Sequence, residues 1–124
     1  TGYIDRKVYD ENPLTLEDFR KHIGEEKAKL WDKEVNRKMN QVMKALSAEI
    51  CSDSKLSKHI KFQIFGADVA PSDKLTATIM EINKGPDIGF KDEKDGNVKK
   101  NMIRGAFNII EPLDDEKTGY VRIY

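Results

Sequence analysis

Asp68, Glu81 and Asn83 are the residues whose types and spacing suit chemistry. They sit in two apolar runs, Lys61-Phe62-Gln63-Ile64-Phe65-Gly66-Ala67-Asp68-Val69 and Thr78-Ile79-Met80-Glu81-Ile82-Asn83-Lys84-Gly85-Pro86. A carboxylate removed from water is costly unless it is paired or bound to a metal. Two acids within apolar strands therefore call for a counter-charge. That charge is either a Lys or Arg from elsewhere in the fold or a small cation, and spacing alone leaves both open. The donors are all hard oxygens, with no thiolate or imidazole among them. Such a set suits Mg²⁺ or Mn²⁺ bridged to phosphate, and not zinc.

The elements that must position these residues read as a hairpin. Residues 61–70 alternate, with Phe62, Ile64, Gly66, Asp68 and Ala70 on one face and Phe65, Ala67 and Val69 on the other. Pro71-Ser72-Asp73-Lys74 is turn-like. In a second strand over 75–83, Leu75, Ala77, Ile79, Glu81 and Asn83 share a face. A turn centred on Asp73-Lys74 puts Asp68 opposite Ile79 and makes Glu81 its diagonal neighbour, roughly 7–8 Å away. Both faces are mostly apolar, which predicts a strand pair covered on both sides.

Helices flank the hairpin. Thr15 can cap a short helix over about 15–23, with Glu17 and Asp18 at its positive end and Gly24 ending it. Trp31, Val35, Met39, Val42, Leu46 and Ile50 recur at steps of three and four, which predicts a helix over 25–50 with one core-facing stripe. Cys51 to Lys55 reads as a loop, and Leu56 to Ile60 as a turn leading to the strand. A third helix over about 97–110 opens near Asp95 or Asn97, carries Val98, Met102, Ala106, Ile109 and Ile110, and stops at Pro112. Short strands are expected near residues 1–9 and over 119–124. The fold class is α+β, with antiparallel strands packed against helices.

Composition narrows the classes. A chain of 124 residues predicts one domain. Its 22 basic and 22 acidic residues cancel, which argues against a general affinity for nucleic acid or membrane. No apolar run approaches the ~20 residues that span a bilayer, and no signal peptide is read at the start. Cys51, the single cysteine, has no internal disulfide partner and reads as a reduced cytoplasmic thiol. The chain starts at Thr1 without Met, which reads as a processed chain or a piece of something longer.

The two runs together resemble the C-terminal part of the tubulin-tyrosine ligase family, a branch of the ATP-grasp ligases. That family shows a strand of the type F-x-[LI]-[FY]-G-x-D, a turn, and then [LIM]-E-[VI]-N-x-x-P. The separations of Asp68, Glu81 and Asn83 fit its D-x₁₂-E-x-N pattern. Asp95-Gly96-Asn97-Val98-Lys99 is similar to the family's helix after the metal loop. Leu14 to Phe19 and the Leu30-Trp31 helix are similar to the segment before the strand. Thr1-Gly2-Tyr3 with Lys7 is similar to the tail of its L-T-N-Y-x-x-x-K motif, with Gly2 in place of Asn.

The resemblance implies that residues 1–124 form a single or partial domain, the C-terminal portion of an ATP-grasp core. It implies an enzyme that phosphorylates a carboxylate with ATP and lets an amine attack the acyl-phosphate. Asp68, Glu81 and Asn83 would hold Mg²⁺ or Mn²⁺ against the ATP phosphates, Glu81 and Asn83 would serve catalysis, and Lys84 with Gly85-Pro86 would shape the end of the site. Lys99 would face the acceptor. The implied partners are a free amino acid and a protein acceptor of the tubulin-tail type, in the cytoplasm and on microtubules, with no nucleic acid and no membrane. The adenine pocket and phosphate-holding lysines would lie on a preceding lobe. Two alternatives stand beside this. One is a non-catalytic ligase-like module that docks on tubulin or another protein. The other is an unrelated α+β domain, in which Asp68 and Glu81 would point to different environments.

Overall fold

A computed structural model describes residues 12–50, 62–111 and 118–123. Among them are five elements: helix α1 (Leu16–Ile23), helix α2 (Glu25–Ile50), strands β1 (Gly66–Pro71) and β2 (Ala77–Asn83), and helix α3 (Glu93–Ile110). The architecture is α+β, with one two-stranded antiparallel sheet. The expected strand near residues 1–9 and the segments 51–55 and 56–60 lie outside the described residues.

Local signals set the first two helices. The Thr15 hydroxyl accepts from the Asp18 backbone N–H at 3.1 Å, and the Asp18 carboxylate accepts from the Thr15 N–H at 3.3 Å. This reciprocal pair satisfies donors that a helix start leaves orphaned. Gly24 breaks the helix at φ 84°, a backbone region that residues with a Cβ rarely adopt. Its carbonyl accepts from the Ala28 N–H at 2.9 Å, so the same glycine opens α2.

The corner so formed is held by two contacts. Phe19 and Trp31 meet edge to face, ring centroids 5.7 Å apart. Arg20 grips both oxygens of Asp32, with Nη2 to Oδ1 at 2.8 Å and Nε to Oδ2 at 3.1 Å. About 40 % of each partner's side chain is exposed, so this pair contributes less than about 1 kcal/mol. Trp31 is 4 % exposed and dominates the local core with Ala28. Burial then fades along the expected stripe. Val35, Met39 and Val42 are half-buried and Leu46 is exposed, because the strands cover only part of α2.

Helix α2 packs on β2. Ala77, at the start of β2, is buried, and its backbone lies near enough to the Glu34 carboxylate to favour the charged form. Arg37 holds the same carboxylate through Nε at 2.7 Å and Nη2 at 2.8 Å. Chiefly through Arg37, these bonds lower the Glu34 pKa.

Helix α3 starts earlier than expected, at Glu93. Asp92 is the cap, accepting from the Asp95 N–H at 2.8 Å. Asp95 instead turns its carboxylate to the Lys91 N–H at 3.0 Å and to Lys99 at 2.9 Å. The helix closes at Ile110, and Glu111 is extended, the conformation favoured just before a proline. The final strand expected over 119–124 does not form in residues 118–123. They lie along α3 instead: Tyr120 donates to the Met102 carbonyl at 3.0 Å, and Gly105 makes room for the Thr118 carbonyl and the Tyr120 ring. Asn40 of α2 donates to the Ile123 carbonyl. No helix among the described residues is long and apolar enough to cross a membrane.

Trp31→Ala should destabilise the fold by about 3–5 kcal/mol, while Leu30→Ala, at a residue 62 % exposed, should stay within about 0.5 kcal/mol. Urea unfolding of both variants tests where the core lies. Glu34 gives a pH signature. Its folded pKa is below the ordinary value of 4.5, so its contribution is complete above that value and is lost as pH falls through the folded one. Glu34→Gln should remove that part of the acid-side loss, measured as melting temperature against pH.

Candidate metal and nucleotide site

The hairpin turn is built by Ser72. Its N–H donates to the Thr76 carbonyl at 3.0 Å, its carbonyl accepts from the Leu75 N–H at 3.0 Å, and its hydroxyl accepts from the Lys74 and Thr76 N–H groups at 3.2 and 3.1 Å. Leu75 takes the left-handed region, φ 58°. The connection therefore runs from Ser72 to Thr76, and its odd length moves the register by one residue, pairing Ala70 with Thr78. A bulge at Met80 moves it by one more: Val69 pairs with Ile79, but Asp68 pairs with Glu81 and Gly66 with Asn83.

This corrects the expected pairing of Asp68 with Ile79. The two acids are not diagonal neighbours; they are directly opposed. It also corrects the expected faces. Residues paired across an antiparallel ladder share a face, so Asp68, Glu81, Asn83 and Gly66 lie together as expected. Ala77 and Ile79 lie on the other face, with Ala67, Val69 and Ile82. The bulge separates an apolar face, turned to α2, from an oxygen-bearing one. A β-bulge has this effect wherever one strand carries an extra residue.

The oxygen-bearing face is open. Asp68, Glu81, Asn83 and Lys84 are all exposed, contrary to the expected strand pair covered on both sides, because the described sheet has two strands only. Directly opposed residues place their Cβ atoms ~4.5–5.5 Å apart, so the two acidic residues share one rung of that face. Neither makes an ion pair with a described residue, and the Lys84 ammonium makes none either. The salt-bridge alternative therefore has no Lys or Arg partner among the described residues.

The end of the hairpin is pinned. A Cβ on Gly66 would lie 3.1 Å from the Pro86 Cβ, so glycine lets the chain after Asn83 fold back on β1. Gln63 donates from its amide nitrogen to the Lys84 carbonyl at 2.6 Å and the Ile64 carbonyl at 2.9 Å. Sequence reading missed Gln63. Its one signal is a polar amide in an otherwise apolar run.

Lys99 does not stand free as an acceptor contact. Its ammonium binds Asp95 at 2.9 Å and also the Gly89 carbonyl, clasping the loop after Pro86 to α3. Phe90 of the same loop packs over Gly96 of α3.

Residues 3–119 match the model of the tubulin-tyrosine ligase family. The chain belongs to this family. No curated protein and no solved structure gives a significant match. Membership points to an ATP-dependent, ligase-like function on protein substrates, and the α+β arrangement is consistent with part of an ATP-grasp-like domain. The family generally uses ATP and Mg²⁺. Among the described residues no three His, Cys, Asp or Glu side chains gather as metal ligands; the oxygens on this face belong to two acids and the Asn83 amide. Two carboxylates and an amide oxygen on one open face fit a Mg²⁺ site completed by water and phosphate.

Like charges directly opposed across strands destabilise a sheet. Asp68→Asn and Glu81→Gln should each raise the melting temperature measured in EDTA, by the equivalent of roughly 0.2–1 kcal/mol. If the face holds a metal, Mn²⁺ should stabilise the wild type and neither variant. Scanning calorimetry with and without Mn²⁺ checks both signs.

Proposed function

We propose that this chain carries the metal-binding portion of an ATP-dependent carboxylate–amine ligase that adds an amino acid to a protein carboxylate of the tubulin-tail type, in the cytoplasm and on microtubules. One observation carries the reading. Asp68 and Glu81 oppose each other without a protein counter-charge among the described residues, and Asn83 lies on the same face.

In the proposed reaction an acceptor carboxylate oxygen attacks the γ-phosphorus of ATP, and ADP leaves. The amine nitrogen of the free amino acid then attacks the acyl carbon. The carbon–oxygen bond to phosphate breaks, inorganic phosphate departs, and the amine gives up a proton as the amide forms. Asp68, Glu81 and Asn83 would hold Mg²⁺ or Mn²⁺, which supplies charge neutralisation at the phosphates when bound. The chain's own part is positional. The ladder fixes the two acidic residues on one rung, Asn83 lies two pairs further along on the same face, and the exposed Lys84 would supply positive charge to a triphosphate. Positioning and electrostatic stabilisation are what phosphoryl transfer chiefly needs from a protein.

In the full natural chain, Asp68→Asn, Glu81→Gln and Asn83→Ala should each lower ATP-dependent incorporation of a labelled amino acid into tubulin by about a hundredfold, with circular dichroism unchanged. Wild-type turnover by Asp68→Asn or Glu81→Gln would remove the metal assignment.

A further inference from the structure

We infer that Gln63 is a positioning residue for the oxygen site: its side-chain amide acts as an extra rung that fixes the strand end carrying Asn83. The inference rests on the proposed metal site and extends it to a residue that is not a ligand. Gly66–Asn83 is the last rung of the ladder, and residues 62–65 form no strand. Beyond that rung nothing in the backbone ladder restrains Lys84, the residue joined to Asn83. The Gln63 amide takes over there. One NH₂ group has two hydrogens, and two carbonyl oxygens, those of Lys84 and Ile64, lie at 2.6 and 2.9 Å. Each hydrogen thus has its own acceptor. One acceptor lies on each of the two chain segments, so the amide ties the lead into β1 to the exit from β2.

Pro86 against Gly66 restrains the same exit from the other side by contact, at 3.1 Å from where a Gly66 Cβ would be. Between them the carbonyl of Lys84 is fixed, and with it the peptide plane joining Lys84 to Gly85, one residue beyond Asn83. Residues that orient metal ligands without touching the metal typically change metal affinity by about 10–100-fold when removed. Gln63 acts through the backbone next to a ligand, so the low end of that range applies.

The test uses the full natural chain and Mn²⁺ alone. Mn²⁺ affinity is measured by electron paramagnetic resonance, and Mn²⁺-induced broadening of the Asn83 side-chain amide by nuclear magnetic resonance, for wild type, Gln63→Met and Asp68→Asn. Methionine keeps length and removes the donor. The expected result is saturable wild-type binding, loss of binding in Asp68→Asn, and about tenfold weaker binding in Gln63→Met with less broadening at Asn83. The melting temperature in EDTA should be the same for Gln63→Met as for wild type, which separates positioning from a general loss of fold. Unchanged affinity and broadening in Gln63→Met, beside a dead Asp68→Asn, overturns the role of Gln63 and leaves the site intact. A melting temperature that falls in step with affinity also overturns it, in favour of plain destabilisation. Absence of wild-type binding overturns the site and this inference together.

Discussion

The register of the hairpin, which sets Asp68 opposite Glu81 on one rung, is the constraint on which the rest of the structure depends. Two negative groups face each other on an open face, and no described Lys or Arg neutralises them. A sheet tolerates such a pair at a cost in stability. The cost is small in water and grows as the face is closed off, since charge interactions strengthen when solvent is removed. The register that creates the pair is not an accident of alternation. It needs the odd-length turn built on Ser72 and the bulge at Met80, each of which moves the pairing by one residue.

Those two shifts also decide what the other face does. Without them Ala77 and Ile79 would share the face of Glu81, and packing β2 on α2 would carry the acid toward the helix. With them, the apolar face meets α2 at a buried Ala77, and the acids stay outside. Glu34 lies beside the start of β2 on the helix side, and Arg37 holds that carboxylate in its charged form. Among the described residues the buried core is small, centred on Ala28, Trp31 and Ala77. A few contacts therefore carry much of the scaffold's order, and the oxygen face adds nothing to them.

Sequence alone resolved what is local. The bounds of α1 and α2 follow from Thr15, Gly24 and the three-four spacing of α2, each of which acts within a turn or two. That the acids and Asn83 share a face was legible from alternation, because two one-residue shifts cancel in parity. Which residues oppose them was not legible. Register depends on turn conformation, here a leucine in the left-handed region, and on a bulge that leaves no mark in composition. The start of α3 was missed because four candidate caps crowd residues 92–97, and the choice between Asp92 and Asp95 turns on where Lys99 lies. The strand expected at the end failed for a different reason. Alternating residues form a strand only where a neighbouring edge is within reach, and Tyr120 meets a helix.

Exposure bears on how the proposed site would work. An open pair of carboxylates with one amide oxygen leaves most of an octahedral shell to water and substrate. On the proposed reading, the cation and the nucleotide phosphates then complete one another's binding, and neither is held tightly by these side chains alone. Such mutual dependence is reciprocal by thermodynamic necessity. It places the demand on geometry more than on ligand number. A misplaced Asn83 would weaken both partners at once, and the strand end that carries it is the last rung of the backbone ladder. The side-chain rung from Gln63 and the close approach of Pro86 to Gly66 sit at that point of the fold, where a rigid exit matters most to the three proposed ligands spread over two strands.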